Sequence, residues 1–188
     1  MRKIKLTIIM LSIALSGSLV AQEVSPNEKH GNTLNAGVGI GYYGYIGSTT
    51  PVLHADFEFD VAKNFTLAPF VTYYSYQRYY YWGNKDNPYR NYRYRQTVIP
   101  VGVKGTYYFD QLLKANAKWD FYLAGSLGFA YRKTVWENGY YGETIVHKNS
   151  SALYFDGHIG AEYHLNQRAG LFLDLSSGIS TFGLALHF

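Results

Sequence analysis

From Thr33 onward apolar and polar residues take turns along most of the chain. Successive side chains of a strand point to opposite sides, so this period of two predicts strands with one apolar face. The clearest stretch is Val52 to Val61, where Leu53, Ala55, Phe57, Phe59 and Val61 alternate with His54, Asp56, Glu58 and Asp60. A first strand is predicted at Thr33 to Tyr43, with Leu34, Ala36, Val38, Ile40 and Tyr42 on one face and Asn35, Gly37, Gly39 and Gly41 on the other. A third runs from Phe65 to Tyr76, a fourth from Tyr94 to Phe109, a fifth from Trp119 to Arg132, a sixth from Ser151 to His164 and a seventh from Arg168 to Ser176. The eighth, Ile179 to Phe188, sets Phe182, Leu184, Leu186 and Phe188 against Thr181, Gly183, Ala185 and His187.

The connections are unequal. Ala62-Lys63-Asn64, Leu165-Asn166-Gln167 and Ser177-Gly178 read as tight turns, and Asp110 to Lys118 as a connection with one helical turn. Two long loops are predicted, Gln77 to Arg93 and Lys133 to Ser150; both fall at odd positions in the strand order. Pro69 and Pro100 lie inside predicted strands, and a proline that cannot donate to a ladder predicts a bulge or local break at each. Most of the strands approach the roughly nine to eleven residues that a tilted strand needs to cross a bilayer.

Composition adds an address. Arg2, Lys3 and Lys5 precede an apolar run from Leu6 to Leu15 and small residues up to Ala21, the layout of a secretory leader. The expected organisation is therefore a leader over 1–21, a flexible polar lead-in over 22–32, and a single β domain over 33–188. No run after Ala21 is apolar for long enough to form a transmembrane helix, so membrane residence requires a closed barrel. Twenty tyrosines and nineteen glycines suit strands, turns and interfacial aromatic belts better than helices. The formal charge of +4 falls to +1 once the three cations of the leader are removed, which leaves no basic stripe for nucleic acid. There is no cysteine, hence no disulfide and no lipidated cleavage site.

A last strand of alternating hydrophobics ending on Phe188 resembles the C-terminal signature of outer-membrane β-barrel proteins. That resemblance implies that Phe182, Leu184, Leu186 and Phe188 are read by the barrel-assembly machinery. With eight strands, outward long loops and aromatics at the strand ends (Phe65, Phe109, Trp119, Tyr163 and Phe188 at one level, Tyr42, Tyr73 and Tyr131 at the other), the chain is similar to the small OmpA-domain and OmpX-like barrels. The expected fold is all-β, an eight-stranded antiparallel up-and-down transmembrane β-barrel, without the peptidoglycan-binding domain of full OmpA. The implied location is the bacterial outer membrane, as a monomer in contact with lipid and lipopolysaccharide.

Candidate chemistry then sorts by face. An eight-stranded barrel is just wide enough for its own side chains, so the polar face should fill the lumen. The inward set is acidic: Asp56, Glu58, Asp60, Asp120, Asp156, Glu162 and Asp174 against Lys104 and Arg132, with His54, His158 and His164 beside them. Buried charges persist only when paired, which predicts that Lys104 meets Glu58 or Glu162 in a salt-bridge plug; a gated or proton-sensitive path is the alternative. Outside, Arg78, Tyr80, Trp82, Arg90, Arg93 and Trp136 suit stacking on sugars and pairing with lipid phosphates. Gly39-Ile40-Gly41-Tyr42-Tyr43-Gly44 matches a dinucleotide fingerprint in letters only, since no helix follows it, and its glycines are expected to make room for large side chains inside the barrel.

Some barrels of this size modify lipid A, but a deacylase of that kind needs a His-x-Ser pair and an orienting glutamate, and His164-Leu165-Asn166 lacks the serine. His147, Ser150 and Ser151 have no spacing that singles them out. His54, Asp56 and Glu58 share a face, yet one strand makes a poor metal cage. No enzyme activity, cofactor or metal is expected, with lipid A modification or a narrow gated channel as the alternatives to a structural or surface-interaction role.

Overall fold

The computed structural model describes residues 31–41, 51–109, 118–142 and 152–188. The leader, nearly all of the lead-in, Tyr42, the connection of 110–117, and the stretch with His147, Ser150 and Ser151 lie outside the described residues. Eight strands follow one another: β1 (Thr33–Gly41), β2 (Val52–Ala62), β3 (Phe65–Trp82), β4 (Arg90–Tyr108), β5 (Trp119–Trp136), β6 (Ala152–Asn166), β7 (Ala169–Ser176) and β8 (Ile179–His187). Each pairs antiparallel with its neighbour in the chain, and β1 pairs with β8, so the sheet closes into a barrel.

The alternation read from the sequence is the alternation of the wall. Leu173 is 50% exposed while Asp174 beside it is 4% exposed. Phe57, Leu53, Phe129, Phe155 and Leu184 likewise face outward, whereas Asp56, Glu58, Lys104, Asp156 and Glu162 are buried inside. Water would penalise every one of those outward groups by about 25 cal/mol per Å² of apolar surface, and acyl chains would not. A closed ladder leaves no strand edge for lipid to meet, so the architecture is that of a transmembrane β-barrel.

The two ends of the barrel differ. At one end the turns are tight: Lys63-Asn64 joins β2 to β3, with Asn64 in the left-handed region (φ 55), a conformation asparagine tolerates. Gln167-Arg168 joins β6 to β7 at the same end. Both ladders there carry a register shift, between Asp60 and Ala62 and between His164 and Asn166. Asn32 and Phe188 also meet at this end, where the Phe188 N–H donates to the Asn32 carbonyl at 2.9 Å.

At the other end the predicted long loops are in part sheet. The expected loop from Gln77 to Arg93 is a hairpin whose pairing continues without slip to Trp82 opposite Arg90. β5 likewise continues past Arg132 to Trp136, paired with Tyr94. Dense tyrosine, tryptophan and arginine reads as loop chemistry, but aromatics also stack well across strands, and here cross-strand packing prevails.

Of the two outcomes expected at the prolines, the structure shows the local break and not the bulge. Neither Pro69 nor Pro100 shifts the register. Instead the β2·β3 ladder passes from Asp56–Phe70 to Phe59–Leu67, omitting the pair that contains Pro69, and the β3·β4 ladder passes from Val71–Val101 to Tyr74–Val98, omitting that of Pro100. The missing donor interrupts one ladder locally while the other ladder of each proline runs through it, Pro69 opposite Val103 and Pro100 opposite Ala130.

Candidate functional site

The lumen is built around Lys104 on β4. Its Nζ lies 2.8 Å from Asp56 Oδ2, 3.4 Å from Glu58 Oε1 and 4.0 Å from Asp174 Oδ2. β3 separates Lys104 from β2, and Ala68, paired with Lys104 and fully buried, is small enough to let the ammonium reach across. Of the two partners expected for Lys104, Glu58 is within reach and Glu162 is not; the nearest carboxylate is Asp56. Partners across an intervening strand depend on the stagger of the barrel, which hydrophobic pattern does not encode.

One ammonium faces several acids, so most of the carboxylates are held by neutral donors. Glu58 accepts from Tyr108 Oη at 2.7 Å, Thr66 Oγ1 at 2.9 Å and Asn35 Nδ2 at 3.2 Å. Asp156 accepts from Tyr154 Oη at 3.0 Å, Ser176 Oγ at 2.9 Å and the Gly178 N–H at 3.0 Å. Two histidines complete the set: His54 Nε2 lies 2.9 Å from Asp56 Oδ2, and His158 Nδ1 lies 2.7 Å from Asp174 Oδ1. His54 also meets Thr72, at 2.8 Å, and His158 meets Ser126, at 2.9 Å. Between these histidines a cavity of ≈ 10 Å³, bordered by Phe70, Tyr154 and Thr181, has room for about one water molecule. Arg132 does not join this group. It stands opposite Val98, six residues along β5 from Ser126, or roughly 20 Å at the ordinary strand rise.

Glycines provide the space that large inward groups need. A Cβ on Gly160 would lie 2.2 Å from the Tyr122 ring, and one on Gly37 would lie 2.7 Å from Phe172. Gly39 has a different reason: its Cβ would collide with the Ser180 carbonyl oxygen at 1.9 Å, so there the strands themselves approach closely.

Beyond the lumen, β3, β4 and β5 project as a three-stranded wall. Tyr80, Trp82, Tyr92, Tyr94 and Trp136 occupy the lumenal side of that wall and, with Tyr140, form one aromatic cluster. Tyr140 stacks on Trp136 with centroids 3.9 Å apart and meets Trp82 and Tyr92 edge-on at 5.3 Å and 5.2 Å. The Arg90 guanidinium lies 4.4 Å from the Tyr92 ring centroid, and Arg78 lies 5.3 Å from that of Tyr76. Of the six outer residues singled out in the sequence, Arg78, Tyr80, Trp82, Arg90 and Trp136 share this side, and Arg93 takes the opposite one beside Tyr79. Phe182, Leu184, Leu186 and Phe188 all point outward.

At the tight-turn end lies a group that sequence reading did not assemble. Glu162 and His164 on β6 meet His187 on β8, with donor atoms within 4.8 Å of one another. The metal set weighed in the sequence was confined to one strand; this one spans two strands separated by β7, and the successive pairing of β6 with β7 and β7 with β8 brings it together.

No protein-family model matches the chain, and no curated protein matches it. Among solved structures it is similar to a de novo designed transmembrane β-barrel, at 12% identity and a TM-score of 0.45, covering 83% of this chain and 94% of the design. It is similar to Ail, the attachment invasion locus protein of Yersinia pestis, solved with the heparin analogue sucrose octasulfate, at 8% identity and a TM-score of 0.45, covering 84% and 99% of the two chains. It is also similar to Neisserial surface protein A, at 14% identity and a TM-score of 0.43, covering 84% and 94%. At such identities, what this barrel does has to be read from its own side chains.

Proposed function

We propose that this chain is a monomeric, non-enzymatic integral protein of the bacterial outer membrane, with a plugged lumen and a surface-interaction role carried by the projecting wall of β3, β4 and β5. The observation that carries the reading is the inversion of polarity: an apolar exterior around a charged, hydrogen-bonded interior. The leader-like start of the sequence supports export, and a closed barrel supports the outer rather than the inner membrane. The outward Phe182, Leu184, Leu186 and Phe188 remain available for the assembly machinery that the C-terminal resemblance implies. The packed carboxylates around Lys104 favour a plug over a gated channel. His158 does stand between Ser126, at 2.9 Å, and Asp174, at 2.7 Å, but the three lie within the filled lumen, with an aspartate where lipid A deacylation calls for an orienting glutamate.

The wall offers aromatic faces with guanidinium groups beside them, a surface suited to glycans, whose C–H faces stack on rings. On its other side Arg93, Arg95 and Lys133 are exposed just beyond the apolar Ile99 and Tyr131, the level at which lipopolysaccharide phosphates lie. The experiment is fractionation of cells expressing the full chain, followed by electrophoresis of unboiled and boiled outer membranes. A band whose mobility changes on boiling is expected, and recovery in the soluble periplasm would refute the reading. For the surface role, glycan and lipopolysaccharide binding should fall when Tyr80, Trp82 and Trp136 are replaced together by serine, with the heat-modifiable band retained.

A further inference from the structure

We propose that Glu162, His164 and His187 form a divalent-metal site of the zinc class at the tight-turn mouth of the barrel. His187 Nε2 lies 2.7 Å from Glu162 Oε1, and His164 Nδ1 lies 3.7 Å from the same oxygen. The two imidazole rings are 5.1 Å apart between centroids. Two ring nitrogens and one carboxylate oxygen, converging from a fixed wall, are a ligand set that zinc takes with a water in the fourth position.

The outer shell is already arranged. His164 turns its other nitrogen, Nε2, to Asp120 Oδ2 at 2.8 Å, and His187 turns Nδ1 to Thr33 Oγ1 at 3.0 Å. A carboxylate accepts from Nε2 and so fixes the tautomer whose Nδ1 lone pair faces the cluster; the Thr33 hydroxyl can accept from His187 Nδ1, which frees the Nε2 lone pair when a metal is bound, or donate to it when Nε2 carries the proton. Without a metal, the short contact between His187 Nε2 and Glu162 Oε1 is a hydrogen bond in which Nε2 carries the proton and donates it to the carboxylate. A metal ion takes that proton's place, and the bond to it replaces the hydrogen bond.

Space for Glu162 is specifically provided. Gly170 on β7 pairs with His164 on one side and Ala185 on the other, and a Cβ at Gly170 would come within 2.0 Å of Glu162 Oε1. The smallest residue thus stands between the strands that carry the ligands. The site is reachable as well: the His164 side chain is 25% exposed and that of His187 15%.

The test is isothermal titration of ZnCl₂ into the untagged, folded protein in detergent, with MgCl₂ and CaCl₂ for comparison. One equivalent of Zn²⁺ is expected to bind, and Mg²⁺ and Ca²⁺ should give no comparable heat. His187→Ala and His164→Ala should each weaken binding at least about tenfold, and Asp120→Asn, which removes only the outer hydrogen bond, by about 10- to 100-fold. Unboiled gels confirm that each variant is folded. Should a histidine variant fail to fold, the wild-type protein decides alone, because Zn²⁺ but not Mg²⁺ should raise its unfolding temperature and Co²⁺ should give a visible band that Zn²⁺ bleaches. Absence of Zn²⁺ binding by the wild type, or equal binding by folded His187→Ala, overturns the proposal and leaves the three groups as a hydrogen-bonded lining of the mouth.

Discussion

Lys104 is the residue on which the interior turns. Its replacement by methionine keeps most of the volume but leaves Asp56 and Glu58 without the cation between them. Uncompensated buried charge costs about 3–5 kcal/mol, so Lys104→Met is expected to lose that much in urea unfolding from lipid vesicles, and the triple change with Asp56→Asn and Glu58→Gln should recover a large part of it. A loss below about 1 kcal/mol would mean that the neutral donors Tyr108, Thr66 and Asn35 suffice. At this scale the sequence was half legible. Period two told which side chains face inward, because that depends only on the pleat. It named Glu58 as a partner of Lys104, missed Asp56 and misplaced Glu162, because those depend on how far each strand is staggered against the next. Glu162 instead meets His187, a neighbour that lies two strands away around the wall.

Among the strands, height is uneven. β1, β7 and β8 have 9, 8 and 9 residues, while β3, β4 and β5 have 18, 19 and 18. The short ones lie at or just below the roughly nine to eleven residues that a crossing needs, and the long ones exceed it by several residues. Trp119, outward at the tight-turn end, stacks with Phe121 and lies 4.9 Å from Tyr163, while Trp82 lies at the tip of β3. A variant keeping only Trp119 should be quenched by brominated lipid, and one keeping only Trp82 should be quenched by aqueous acrylamide instead. Equal lipid quenching of both would place the wall inside the bilayer. The ends of these strands were the least readable part of the sequence, since aromatic and basic residues serve exposed sheet and loop alike and no glycine or proline marks the true boundary before Gly83.

For the molecule as a whole, closure and filling go together. Charged side chains from β2, β4 and β7 meet around Lys104, and the space between His54 and His158 holds about one water. Planar-bilayer recordings of the purified barrel should therefore show no steady large conductance; sustained openings would favour the gated alternative. Closure was readable only through the membrane argument, since alternation alone is shared by a half-buried open sheet and it is the lack of an apolar helix that calls for a sealed wall.

The pairing of β1 with β8, from Thr33–His187 through Gly41–Ile179, has a consequence in time. Thr33 and His187 are 154 positions apart, so one flank of β1 has no partner until nearly everything after it has been synthesised. No smaller sealed ring can form on the way, and the seam is the slowest contact to gain by loop-closure entropy. Until that seam forms both margins of the sheet stand bare, so sealing the wall is the step on which the whole topology waits.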